Sequence, residues 1–515
     1  MGTKINLIED RKKWVDIVFI VLIALSAAFV ATAILGYTGI FDQDHLWHYK
    51  LGEYIFKNHS IFKDDIFSWV AIENGYQETA HSWLTSLIMY FVYDGIMNLF
   101  HIDMNVAFLY VEFIYVFIYC IFVYLICFRK KRDFYLGYIF ASFIVSIMVL
   151  GFKPKSVGMM LFLLMLYIIQ KSQIHMKYRH WLILLTVLWS NLHGGSIPIL
   201  FACILGFAFM SLFRYSGCIF ILPNSANFKV RVSRCVKWLI TCGCCFLAGM
   251  LNPYGIKLYI YFFVTNNAET KQFVNEWQPL TARSIPFWLI MFIIGLAVYN
   301  VEFAKKKLYL DYTALFLICF VASFLRLRYI EYAVLTSMIF LKDLIPGIYE
   351  VRLKPDVSGD DFDMKAFIRF NRWFMNGMLI LILCIVNFCC VYALRNAEPN
   401  YDVLLSQEEI DYIHDQSYQH IFNDYDTGAM FIYADIPCFV DSRGDLYKDH
   451  ELSYANGFIL AKLSTEQTDE FINKYQFDCV MLRDALYSAN FYMQHRDDYV
   501  LDYTYGERNY YKKIK

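Results

Sequence analysis

The segment Phe41-Asp-Gln-Asp-His-Leu-Trp-His48 places two carboxylates two residues apart, with two imidazoles close behind. In an extended backbone Asp42 and Asp44 project to the same side, where they could hold a divalent cation or take a proton from a nucleophile. Asp44 with His48 is a second candidate metal pair, although no paired His/Cys spacing points to zinc. Further along, Lys153 and Lys155 flank Pro154, and His193 stands in Trp189-Ser-Asn-Leu-His-Gly-Gly195. Asn252 precedes Pro253, Glu276 precedes Trp277, and Arg326 and Arg328 bracket Leu327. A carboxylate base beside cations that can neutralise a departing anion is what transfer of a group from a phosphate ester requires. Carboxylates are also ordinary in solvated loops, and Glu276-Trp277 also fits an interfacial aromatic anchor.

The elements that must position these residues belong to a membrane protein. Of 515 residues, 58% are hydrophobic, 19% aromatic and only 18% charged, so lipid is part of the solvent. A net charge of -1 argues against a nucleic-acid partner, which calls for a basic face undiluted by acid. The cysteines lie mostly in apolar runs, as at Cys242, Cys244 and Cys245, and read as small buried hydrophobes. Cys438 and Cys479 alone sit in the polar tail, where an oxidising compartment would allow a disulfide.

Apolar runs begin at Trp14, Val106, Phe134, Val157, Trp181, Ile197, Val236, Ile285, Tyr312, Tyr329 and Trp373, which predicts about eleven spans. Arg11, Lys12 and Lys13 precede the first run, which is too long for a cleaved signal core and reads as an uncleaved anchor with a cytoplasmic N-terminus. Alternate connections are then inner ones, and each is basic: 129–132, Lys171 to His180, Lys229 to Lys237, 305–307, and Arg352 to Arg372. An odd number of spans puts everything after Arg395 outside. The expectation is an α-helical polytopic protein of the cell membrane. Residues 1–395 form the multi-span part, with a first outer loop at 37–101, and 396–515 form a small extracytoplasmic α/β domain.

In the first loop, Leu46 to Phe56 and Ser82 to Phe100 read as amphipathic stretches lying along the interface. In the tail, Gln407 to Asp415 and Thr465 to Lys474 look helical, while Cys438 to Asp441 and Asp478 to Leu482 look like strands. Tyr499 to Ile514 reads as a hairpin turning at Gly506. Asn423-Asp-Tyr-Asp426 and Asp441-Ser-Arg-Gly-Asp445 are strand-end turns that could bind cation or sugar, though turn chemistry alone favours Asp and Gly there.

Sorted by side, the costly polar residues fall on one face: Asp42, Asp44, His48 and His81 in the first outer loop, then Lys153, Lys155, His193, Asn252, Glu276, Trp277, Arg326 and Arg328 at later outer ends. A charge at the bilayer centre costs about 2.5–3.5 kcal/mol, so polar groups persist at span ends where something compensates them. Span ends are also simply where polar residues go. The outer set mixes acids, bases and histidines while the inner set is plain Lys and Arg, and that asymmetry favours a site.

The Asp-x-Asp, followed by Trp47-His48, Gly52, Asp64-Asp65-Ile-Phe-Ser68 and His81-Ser-Trp83, resembles the membrane-embedded GT-C glycosyltransferases, nearest the protein O-mannosyltransferase and lipid A aminoarabinose transferase type. The resemblance covers the span pattern and the chain up to about Leu280. It implies a hexosyl- or pentosyltransferase whose donor sugar rides on a polyprenyl phosphate or pyrophosphate. Carried over by position, Asp42 or Asp44 is the base that activates the acceptor, and Lys153, Lys155, Arg326 and Arg328 contact the donor phosphate. His48, His81, His193, Asn252, Glu276 and Trp277 line the substrate, and Asp44 with His48 could take Mg or Mn. Lys153 stands before Pro154 where Arg is expected, so the phosphate would meet a point charge rather than a fork. The acceptor is open among glycan, protein and lipid, and the Lys, Ile, Tyr and Phe bias points to a bacterial cell envelope. Two other readings remain: a transporter or flippase of lipid-linked precursors, against which the lack of paired halves counts, and a non-catalytic assembly protein whose tail binds a partner.

Overall fold

The computed structural model describes residues 13–38, 43–129, 135–216, 220–222, 227–267, 277–302, 308–344, 364–396 and 404–514. Asp42 and Glu276 lie outside them, as do parts of the basic connections.

The helices before the tail are α1 (Lys13–Thr38), α2 (Asp44–Asn58), α3 (Trp69–Asn74), α4 (Trp83–Phe100), α5 (Met104–Val123), α6 (Tyr135–Met148), α7 (Pro154–Ile174), α8 (Trp181–Leu192), α9 (Ile197–Met210), α10 (Phe228–Ala248), α11 (Lys257–Asn267), α12 (Ile285–Glu302), α13 (Leu310–Ser323), α14 (Ile330–Leu344) and α15 (Met364–Asn396). Every apolar run that the sequence marks as a span is helical. Among the described residues five stretches are long and apolar enough to cross a membrane: Val15–Gly36, Trp83–Phe100, Met104–Phe128, Pro154–Ile174 and Gly377–Arg395. The second, read from the sequence as an amphipathic stretch along the interface, also has the length and hydropathy of a span.

Large apolar side chains face outward along these helices, with Leu99 71%, Trp288 62% and Phe388 71% exposed. That surface is unfavourable in water and neutral against lipid tails, as in a polytopic membrane protein. Inside, Ala24, Ala27, Ala28 and Ala31 are buried on α1. Small residues three and four apart allow close approach, and α1 packs on α5 and α15. A small sheet joins β1 (Tyr215–Ser216), β2 (Phe220–Leu222) and β3 (Leu308–Tyr309).

The tail holds α16 (Gln407–Gln416), β4 (Ile421–Phe422), α17 (Gly428–Tyr433), α18 (Asp449–Ile459), α19 (Thr465–Tyr475), β5 (Cys479–Arg483), α20 (Tyr487–Gln494), β6 (Tyr499–Tyr505) and β7 (Arg508–Lys513). The sheet order is β4-β5-β7-β6, with β4 parallel to β5 and the other pairs antiparallel. The β6–β7 hairpin turns at Gly506, as the sequence suggests. Ser406 and Glu409 cap α16 reciprocally. Glu409 then takes a bidentate bond from Arg508, at 2.7 Å for both contacts, and a third from the Tyr510 hydroxyl at 2.7 Å. This ties α16 to β7.

The tail's apolar core is completed by the first loop. Trp69, Val70, Ala71 and Tyr76 are buried with Phe422, Phe439, Phe471 and Phe477. The backbones pair too: Trp69 N donates to Cys438 O at 2.9 Å, Cys438 N to Phe67 O at 3.0 Å, and the Ser68 hydroxyl to Phe439 O at 2.8 Å. The strand expected at Cys438 to Asp441 is therefore only a single bridge to Ser68, outside the tail's sheet. Cys438 and Cys479 are separate, free and buried, so the disulfide is not formed.

Candidate functional site

Asp44 opens α2 rather than lying in an extended segment, because the preceding Gln43 is already helical at φ -68° and ψ -9°. An acid in the first turn is stabilised by the helix dipole. Asp44 thus stands at a helix start, and Asp42 lies outside the described residues. The Trp47 indole donates to Asp44 Oδ1 at 3.4 Å, and the Lys153 ammonium lies 3.8 Å from Oδ2. His48 follows one turn later, and its Nδ1 bonds the Ser86 hydroxyl of α4 at 2.8 Å. The two helices meet closely because Gly52 has no side chain: a Cβ there would stand 2.2 Å from Ser86 O. Burial, then the neighbouring His81, Lys153 and His193, push the His48 imidazole well below its usual pKa, so it is neutral at pH 7.

His81 and His193 face each other with ring centroids 5.9 Å apart, and the Tyr261 ring of α11 lies 5.4 Å from His81. The Trp189 to Gly195 segment is the frame for this pair. Asn191 Oδ1 accepts from the Trp83 indole at 3.0 Å, its amide donates to Leu251 O at 2.9 Å, and Thr85 donates to Leu192 O at 2.6 Å. Gly194 N donates to His81 O at 3.0 Å, and the His193 Nδ1 bonds Ser196 at 2.8 Å. Burial lowers the His81 pKa, against the opposing charge of Asp445.

The cations divide. Lys153 reaches Asp44 and acts electrostatically on His48, and Arg328 acts on His81. Lys155 is instead paired with Glu331 of α14 at 2.8 Å. Arg326 and Arg328 both lie over the Trp277 ring, at 5.1 and 5.9 Å. Asn252 spends its amide on its own turn, donating to Gly249 O at 2.7 Å and accepting from Tyr254 N at 2.8 Å. It reaches the loop only through Tyr254, whose hydroxyl accepts from Ala80 N at 2.9 Å. Among the described residues no group of three or more His, Cys, Asp or Glu is placed to hold a metal ion. Asp44 and His48 contribute two groups at most, and the His48 Nδ1 is already bonded to Ser86.

Sequence reasoning missed what the tail brings. The Asp441 to Asp445 turn enters the site, and the buried Arg443 guanidinium forms ion pairs with Asp65 and, at 2.6 Å, with Asp441. Glu78 lies 3.7 Å away, and the Phe67 ring lies 5.3 Å from the guanidinium. Asp65 also accepts from Ser68 N at 2.8 Å, and Asp441 from the Tyr447 hydroxyl at 2.6 Å. Burial alone would raise the Asp441 carboxyl, but the charge and hydrogen bonds of Arg443 outweigh it and hold it below the usual range. One guanidinium cannot balance three carboxylates, so Glu78 takes the cost: burial, and the nearby Asp445, Asp65 and Asp441, push it to about 8 against the pull of Arg443. Asp445 accepts a hydrogen bond from the Tyr261 hydroxyl, which brings a tail carboxylate beside His81. The available signal was the acid-rich turn itself, but its buried partners lie hundreds of residues away.

No family model matches the chain, and no curated protein matches it significantly in sequence. Among solved structures, the oligosaccharyltransferase of Archaeoglobus fulgidus tethered to an acceptor peptide containing the NVT sequon aligns at TM-score 0.53 and 12% identity, over 95% of this chain and 73% of that one. Its apo form aligns at TM-score 0.51 and 11% identity, over 92% and 70%. The same archaeal enzyme, AglB, bound to an inhibitory peptide and a dolichol-phosphate, aligns at 0.50 and 11%, over 95% and 73%. The chain shares the fold of this archaeal enzyme.

Proposed function

We propose that the chain is a glycosyltransferase that moves a sugar from a polyprenyl-phosphate donor to an acceptor at the outer face of a bacterial cell membrane. The observation that carries this is the Asp44–Lys153 pair, which puts a carboxylate beside a cation of the kind that binds phosphate. The shared fold with an enzyme solved in complex with a dolichol-phosphate supports a lipid-linked donor.

Asp44, or Asp42, takes the proton of an acceptor O–H or N–H. The freed atom attacks the anomeric carbon, the bond from that carbon to the phosphate oxygen breaks, and its electron pair leaves with the phosphate. Lys153 and Arg328 neutralise the developing charge, with Lys155 and Arg326 behind them. His48, neutral and buried, and the buried His193 orient hydroxyls, and Trp277, held beside two guanidiniums, stacks on a sugar ring. Glu276 borders this ring in sequence. Asn252 acts through its turn rather than by contact. A divalent cation, if used, would draw on Asp44 and His48 together with groups of the substrate.

The test is sugar release from polyprenyl-phosphate donors by the purified chain in lipid, with and without divalent cation, for wild type, Asp42→Asn, Asp44→Asn and the double variant. Loss of release with an intact fold supports the proposal. Full activity in both single variants and the double ends it.

A further inference from the structure

One buried acid is not used by this chemistry. Glu112 is the ninth residue of α5, fully buried within a stretch of mean hydropathy 2.4. An ionisable side chain inside a span persists where it has a task. Its Oε2 accepts the backbone N–H of Gly151 at 3.1 Å, and among the described residues its Oε1 has no hydrogen-bond partner.

Gly151 belongs to the turn between α6 and α7, with φ at +80°, a conformation only glycine adopts at little cost. Gly151 and Phe152 of this turn are buried, so its backbone must find partners inside the protein. The same turn carries Lys153 at the N-cap of α7 and Lys155 just after Pro154. Ser156 secures the near side, accepting from Lys153 N at 3.2 Å and donating to Lys153 O at 2.8 Å. Glu112 secures the far side.

We propose that Glu112 is a positioning residue for Lys153: by holding Gly151 it sets the depth of the turn, and so places the ammonium beside Asp44. This rests on reading Lys153 as a donor-phosphate contact.

The experiment measures binding of a sugar-free polyprenyl phosphate to the full chain in lipid nanodiscs, with the thermal unfolding midpoint recorded in parallel. Glu112→Gln keeps an acceptor for Gly151 and should bind as wild type. Glu112→Met removes the acceptor at similar length and should bind roughly tenfold more weakly, the effect of losing one buried hydrogen bond. Its unfolding midpoint should hold, because an apolar side chain suits an apolar helix. If Glu112→Met does not fold, Gly151→Ala strains the same turn and carries the same expectation. Wild-type affinity in Glu112→Met, beside weakened binding in Lys153→Ala, overturns the positioning role. Wild-type affinity in Lys153→Ala overturns the phosphate reading itself.

Discussion

Arg443 of the tail is ion-paired with Asp65 of the first loop across 378 positions of sequence, and their side chains are 2% and 0% exposed. Two charges so deeply placed are held only because each satisfies the other, with Asp441 and the Ser68 amide taking the remaining bonds. The pair therefore adds to the shared apolar core and backbone bonds that dock the tail on the loop.

Removing one partner leaves an uncompensated buried charge, so Arg443→Met should destabilise the docked tail by roughly 3–5 kcal/mol. The double variant Arg443→Met with Asp65→Leu should recover part of that loss, since one of the two carboxylates left without a cation is then removed. Denaturant unfolding of the two proteins in detergent measures the difference. A single variant as stable as wild type would show that the pair does not hold the tail.

Glu78 makes this docking sensitive to pH. Its carboxyl is raised from 4.5 to about 8 in the fold. A raised acid contributes stability that is complete below the unfolded value and is lost as pH climbs through the folded one. The docked state should weaken between about pH 5 and pH 8 and then level off. Glu78→Gln, which mimics the protonated carboxyl, should remove that part of the slope. Protease sensitivity of the loop and tail against pH reports it, and equal slopes in both proteins would rule Glu78 out as the source.

Much of the frame was legible in the sequence. Long apolar runs have few alternatives to helices in lipid, and Gly506 between two alternating segments has few alternatives to a hairpin. Asp44 was misread because an acid two residues from another fits an extended loop and a helix start equally well, and the neighbouring Leu46, Trp47 and Leu51 settle the matter only by packing on α4. The Asp65–Arg443 pair and Glu112 were invisible for a different reason. Each residue alone is an ordinary turn acid, turn base or stray charge, and only three-dimensional closure shows that they are buried against a partner.

The free thiols give a direct check on the tail's core. Cys438 and Cys479 are fully buried, and burial pushes the Cys438 thiol well above its usual value, further from the reactive thiolate. Neither should react with a maleimide in the native protein, and both should react after denaturation without reductant. A mass lighter by two hydrogens in the unreduced chain, assigned to this pair, would restore the disulfide.

The contact between Asp445 and Tyr261 sets the last expectation, at the proposed site. Burial disfavours a charged imidazole at His81, and the Asp445 carboxylate partly offsets that cost. Asp445→Asn keeps an oxygen for the Tyr261 hydroxyl but removes the charge, so His81 becomes a still weaker base. If the neutral imidazole is the working form, the acidic limb of kcat/KM for sugar transfer should move to lower pH, with the plateau rate and the unfolding midpoint little changed. If the protonated form is needed instead, it is the basic limb that should move to lower pH. An unchanged limb would separate His81 from the chemistry and leave Asp445 as a strut between tail and α11.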